Sequence, residues 1–131
     1  GDVNRVAELQ RVCGKDFLQF SGDDATAREY MLLGGHGVIS VTTNVAPKQM
    51  QAMCAAALAG DAEKAAELDA PLSSLHRELF VESNPIPVKW AVAKQGLIDG
   101  ALRLPLTELS LEHQPAVEGA LTDASALEGN T

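Results

Sequence analysis

An α/β fold is predicted, a parallel strand–helix–strand unit in residues 1–60 followed by helices alone in residues 61–131. Two short strand-type runs and the glycine-rich turn that closes the helix between them carry this reading. Phe17-Leu18-Gln19-Phe20 is aromatic and apolar, and Ser21-Gly22-Asp23-Asp24 breaks it with turn formers and helix caps. Residues 25–33 then read as a helix. Gly34-Gly35-His36-Gly37 stops it, because glycine enters the left-handed conformation freely, and Val38-Ile39-Ser40-Val41-Thr42 is a second, β-branched run. In parallel units of this kind, chemistry gathers at the carboxyl ends of the strands, here residues 21–24 and 42–44.

Composition bounds the rest. With 46% apolar and 21% charged residues the chain of 131 residues is globular and able to bury a core. Aromatics are only 4%, so that core is built from Ala, Leu and Val, which suits close-packed helices. The net charge of −8, with ten scattered Lys and Arg, argues against nucleic acid as a partner. No window reaches the roughly 18 to 20 apolar residues of a membrane span, and no basic start leads into an apolar run, so a cytoplasmic location is expected. Cys13 and Cys54 stand apart from each other and from any histidine, which favours free thiols over a disulfide or a zinc site.

Taken in order, Asp2 caps a first helix with Val3, Val6, Leu9 and Val12 at helical spacing, and Gly14 ends it. Only two strands are legible, although parallel strands normally sit in larger sheets, so further strands are expected upstream of Gly1. The helix of residues 25–33 carries Tyr30-Met31-Leu32-Leu33, more apolar surface than one sheet-facing stripe, which predicts an apolar contact surface. Pro47 opens a helix with Met50, Met53, Cys54, Ala57 and Leu58 on one face, and Gly60 closes it. Asp61 caps the next, with a Leu stripe through Leu79 that Pro71 splits near Ala70. Asn84-Pro85-Ile86-Pro87 makes a rigid corner before a helix that Gly96 ends. Residues 102–106 are irregular, a closing helix carries Val117, Ala120, Leu121 and Ala124 inward, and residues 128–131 fray.

Few residues offer chemistry. Ser21-Gly22-Asp23-Asp24 is open to three readings: paired carboxylates, a hard-cation site, or a turn whose second aspartate caps the helix; spacing alone favours the cap. Gly34-Gly35-His36-Gly37 follows a helix, the wrong end for a phosphate loop. His36, His76 and His113 are isolated and read as surface or packing residues. A nucleophilic lysine needs a desolvated pocket. Lys15 precedes a strand and so lies at the far end from the chemistry, while Lys48, Lys64, Lys89 and Lys94 belong to helices. No residue of this chain is therefore assigned a catalytic role, and no metal or cofactor is called for.

Several long motifs, in order, resemble one family. They are Gly1-Asp2-Val3, Phe20-Ser21-Gly22-Asp23-Asp24-Ala25, Gly34-Gly35-His36-Gly37-Val38-Ile39-Ser40-Val41-Thr42 and Asn44-Val45-Ala46-Pro47, then Leu79-Phe80-Val81-Glu82, Asn84-Pro85-Ile86-Pro87-Val88-Lys89-Trp90-Ala91 and Arg103-Leu104-Pro105-Leu106. Together they are similar to the dihydrodipicolinate synthases, in the pyruvate Schiff-base aldolase/lyase superfamily, and cover less than half of a family chain. The resemblance implies the last two strand–helix units of a TIM (β/α)8 barrel (residues 1–60) and a C-terminal all-helical extension (residues 61–131). It implies a lyase of lysine and diaminopimelate biosynthesis in which pyruvate, held as a Schiff base on a lysine, condenses with aspartate semialdehyde, usually in a homotetramer. That lysine lies in a Lys-Glu-Ala-Thr-Gly run whose glycine looks like Gly1, so the nucleophile is expected just upstream. The resemblance carries over Ile39, whose backbone carbonyl faces pyruvate, and more weakly Gly22 as a wall of the site. Pro71 and residues 128–131 depart from the family pattern.

Two other functions compete. An N-acetylneuraminate lyase or sugar-acid aldolase shares the barrel and lysine, but Asp23-Asp24 and Asn84-Pro85-Ile86-Pro87 favour the synthase. The other is a non-catalytic fragment or interaction module, distinguished by the activity of this exact chain.

Overall fold

The computed structural model describes residues 1–14 and 16–125, the side chain of Ser125 excepted, so the fraying expected at residues 128–131 lies outside the described residues. The chain forms two compact units, residues 1–40 with 48–70, and residues 41–47 with 71–131.

The first unit holds α1 (Arg5–Cys13), β1 (Phe20–Ser21), α2 (Ala27–Leu32), β2 (Gly37–Val38), nearly all of α3 (Pro47–Leu58) and α4 (Ala62–Asp69). The strands pair in parallel, Phe20 opposite Gly37 and Ser21 opposite Val38, as the crossover through α2 requires. They are shorter than the runs at 17–20 and 38–42. At one end the amide of Gln19 bonds the His36 ring instead of a carbonyl, and at the other the chain leaves the sheet after Val38 and goes on to a 3-10 turn at Thr42–Asn44. The helix between them is also shorter than residues 25–33. Its N-cap is Thr26, and Asp23 rather than Asp24 supplies the capping carboxylate, Oδ2 accepting from the Thr26 amide at 3.2 Å and from its hydroxyl. Asp24 is buried, its carbonyl accepting from the Ala27 amide.

Core positions follow helical spacing. Met31 and Ala27 of α2, Met50, Met53 and Ala57 of α3 and Ala65 of α4 are buried, and α2 packs on both β2 and α4. In α1 only Val6 is buried; Val12 is exposed, so the expected four-residue stripe is narrower than its spacing suggested. Leu33 is exposed and Leu32 half-buried, leaving uncovered the apolar surface expected beyond α2's inner face. The ring of Tyr30 lies directly over Gly35, where any Cβ would overlap it. Asp61 caps α4, its Oδ1 accepting from the Lys64 amide at 3.0 Å.

In the second unit are α5 (Ser73–Glu78), α6 (Ile86–Lys94) and α7 (Gln114–Ser125). Pro71 sits in a 3-10 turn at Ala70–Leu72 that separates α4 from α5, the split expected from its missing amide. Leu72, Leu75 and Leu79 are fully buried, and α5 packs on α7 through a face that includes Val117, Ala120 and Ala124. The corner before α6 contains a cis Asn84–Pro85 bond, and a second cis bond precedes Pro105 in the irregular segment. Glu82 accepts from the Ser110 amide at 3.1 Å, tying that segment to the end of α5.

Candidate functional site

At the carboxyl end of the two strands, the Ile39 amide donates to the Ser21 carbonyl at 2.8 Å. The last paired residues are Ser21 and Val38, and Gly22 and Ile39 follow them directly; both are open, Ile39 with 73% of its surface exposed. The two residues carried over by the resemblance are thus brought together. Beyond them the turn is built by short polar side chains. Ser21 Oγ accepts from the Asp23 amide at 3.1 Å and donates to the Asp23 carbonyl at 3.2 Å, while the Asp23 carboxylate holds Thr26. Asp23 is therefore committed to local structure, which leaves the capping reading in place with the roles of the two aspartates exchanged.

Gly1 lies against this turn: a Cβ there would stand 2.8 Å from Asp23 Oδ2. A cavity of about 320 Å³ opens between Gly1, Arg5, Phe20, Gly22, Thr26 and Tyr30. No lysine lines it. Lys48 is exposed, Lys64 pairs with Glu67 at 2.9 Å, Lys89 donates to the Ala101 carbonyl at 2.8 Å, and Lys94 meets Glu118 at 3.1 Å and lies over the Trp90 ring. Lys15 lies outside the described residues. Among the described residues no group of three His, Cys, Asp or Glu is gathered as a metal site. No helix there is long and apolar enough to cross a membrane.

The histidines divide. His36 is exposed and bonded through Nδ1 to the Gln19 amide; His76 is buried, with Nδ1 2.9 Å from the Thr42 hydroxyl. Reading residues one at a time missed the Thr42–His76 bond, because nothing local links positions so far apart in the chain. The Ser21–Asp23–Thr26 set did carry a signal, serine two residues before aspartate and threonine three after it. Cys54 is half-buried, and burial, with Asp24 and Asp69 nearby, pushes its thiol pKa up. That is the opposite of an activated nucleophile.

The described residues form a helix-rich α/β chain with a parallel strand pair whose carboxyl ends are open, which places it in the parallel α/β class. Residues 1–124 match the model of the Dihydrodipicolinate synthetase family, and the chain belongs to that family. It is 58% identical over 125 residues to a 4-hydroxy-tetrahydrodipicolinate synthase of Shewanella sp. (strain ANA-3), covering 95% of this chain and 42% of that protein. With the protein of that name from Alcanivorax borkumensis it shares 53% identity over 128 residues, 98% of this chain and 44% of the relative. Among solved structures it superposes with a TM-score of 0.90 and 48% identity on a chloride-inhibited dihydrodipicolinate synthase from Acinetobacter baumannii complexed with pyruvate, covering 95% of this chain and 43% of that one. The chain thus spans less than half the length of the relatives it matches.

Proposed function

We propose that residues 1–60 form the last two strand–helix units of a TIM (β/α)8 barrel and residues 61–131 its C-terminal helical extension, in a lyase of lysine biosynthesis. In the proposed reaction a lysine amine upstream of Gly1 adds to the ketone of pyruvate and expels water. The resulting Schiff base loses a methyl proton to become an enamine, whose carbon attacks the aldehyde of aspartate semialdehyde. Gly22 and Ile39 are walls of that site, with the Ile39 carbonyl facing pyruvate.

The observation that carries the reading is the carboxyl end of the sheet, where Gly22 and Ile39 directly follow the paired Ser21 and Val38 and both stand open. Gly1 borders the same cavity as Gly22, so a segment joined to it enters from the side where the lysine is needed. The reaction uses neither metal nor cofactor, and a cytoplasmic homotetramer is the proposed form. The test is borohydride reduction in the presence of pyruvate, followed by intact mass and peptide mapping. The complete polypeptide is expected to gain an adduct upstream of Gly1 and residues 1–131 alone to gain none; a stable adduct on any lysine of this chain would sink the assignment.

A further inference from the structure

We infer that His76 is a positioning residue for the proposed reaction: through Thr42 it pins the turn that follows β2, and with it the backbone leading from Ile39. The inference rests on the reading of Ile39 as the residue that faces pyruvate.

Thr42 follows Ile39 by three residues and opens a single 3-10 turn, Thr42–Asn44, a structure whose own hydrogen bonds hold it poorly. The turn is secured from outside. Thr42 Oγ1 lies 2.9 Å from His76 Nδ1, with Thr42 fully buried and His76 only 6% exposed. One step along, Gln95 Nε2 donates to the Val45 carbonyl at 2.8 Å. A hydrogen bond between a buried hydroxyl and a buried ring nitrogen is directional and shielded from water, so the Thr42–His76 contact favours one arrangement of the turn.

The neighbours of His76 sharpen the argument. Leu72, Leu75 and Leu79 are all fully buried, so that part of the chain fills its core with leucine, and a residue needed only for packing there would be another. The one imidazole stands where the segment meets the Thr42 hydroxyl. Burial of the ring limits its rotation, so the bond is delivered from a restricted direction.

The experiment uses the complete polypeptide with three substitutions. His76→Leu keeps the bulk and loses the bond, Thr42→Val loses only the hydroxyl, and His76→Asn puts an amide near the place of Nδ1. In the first two, exchange of the protected Asn44, Val45 and Ala46 amides is expected to quicken about tenfold. KM for pyruvate is expected to rise about fivefold with kcat changed less than twofold, and His76→Asn to return both toward wild type. Exchange that quickens equally throughout the molecule means His76 is merely structural and overturns the inference, as does an unmoved KM. If Leu at 76 prevents folding, Thr42→Val and His76→Asn still decide. A wild-type protein that traps no pyruvate under borohydride removes the underlying reading and this role with it. A trapping wild type matched by Thr42→Val in both readouts removes this role alone.

Discussion

His36 and Gln19 bond each other twice: the His36 amide donates to the Gln19 carbonyl at 2.8 Å, and the Gln19 amide donates to His36 Nδ1 at 3.0 Å. One histidine closes the amino end of the sheet with both its backbone and its ring. Because Nδ1 accepts, the ring proton of the neutral imidazole sits on Nε2. His36→Leu leaves the Gln19 amide without an acceptor, and a destabilisation of about 1 to 3 kcal/mol is expected. His36→Asn, whose side-chain oxygen can stand in for Nδ1, is expected to recover most of it. Urea unfolding of both variants checks this, and equal stability of His36→Leu and wild type would show the ring bond to be idle.

The two cysteines are expected to react at different rates. Burial, then the charges of Asp24 and Asp69, raise the Cys54 pKa, so at neutral pH little of it is thiolate, whereas Cys13 ends α1 exposed. Since the thiolate is the reactive form, iodoacetamide at pH 7.5 should label Cys13 at least about tenfold faster than Cys54. Mass spectrometry of timed samples reads both sites, and labelling at similar rates would mean the environment of Cys54 is more open than described.

Much of this was legible before the structure. Helix punctuation is local chemistry, so Pro47 at the start of α3, the Asp61 cap and the break at Pro71 followed from residue type and position. The pairing of the strands in parallel followed from the crossover. Their lengths did not, because a strand ends where its partners end, and here a side chain from position 36 replaces the next backbone acceptor. Which of Asp23 and Asp24 caps α2 was equally hidden, since both are within reach and only the path of the turn chooses. Gly22 and Ile39 were named from resemblance rather than from chemistry, because the role proposed for Ile39 is a backbone carbonyl's, and a backbone carbonyl leaves no mark on residue type.

Acid should loosen the segment that precedes α7. The Glu82 pKa is lowered, chiefly by a hydrogen bond from the Ser110 side chain, against a smaller desolvation effect, with the Ser110 backbone amide and His113 adding to the lowering. A lowered carboxylate pKa means the contact contributes fully above the unfolded-state value and is lost as pH falls through the folded value. Raising the pH above neutrality should therefore change nothing here. The Ser110 amide resonance is expected to titrate with a midpoint below that of an ordinary glutamate, and the shift should vanish in Glu82→Gln. A midpoint at or above the ordinary value would contradict the bond.

The isolated chain of 131 residues is expected to associate rather than behave as a monodisperse monomer. Phe17, Leu18, Phe20 and Ile39 are 56%, 62%, 51% and 73% exposed, and all belong to the two strand-type runs or their ends. Soluble monomers rarely leave so many large apolar residues exposed on one element pair, because each forgoes a good part of the roughly 1.5 to 3 kcal/mol that full burial contributes. Among the described residues β1 and β2 also pair only with each other, so each has a free edge that a strand of another molecule can join. Against a total stability of roughly 5 to 15 kcal/mol for a domain, these losses are large. The helices have their own buried faces and keep their structure, so circular dichroism should report a helical spectrum with a broad melt while sedimentation reports oligomers. Leu18→Lys with Phe20→Lys places charge on that surface and should shift the distribution toward monomer. A sharp cooperative melt from a monodisperse monomer of the unaltered chain would show that residues 1–131 need no further cover, and that the exposed strand residues are not a docking surface for the remainder of a barrel.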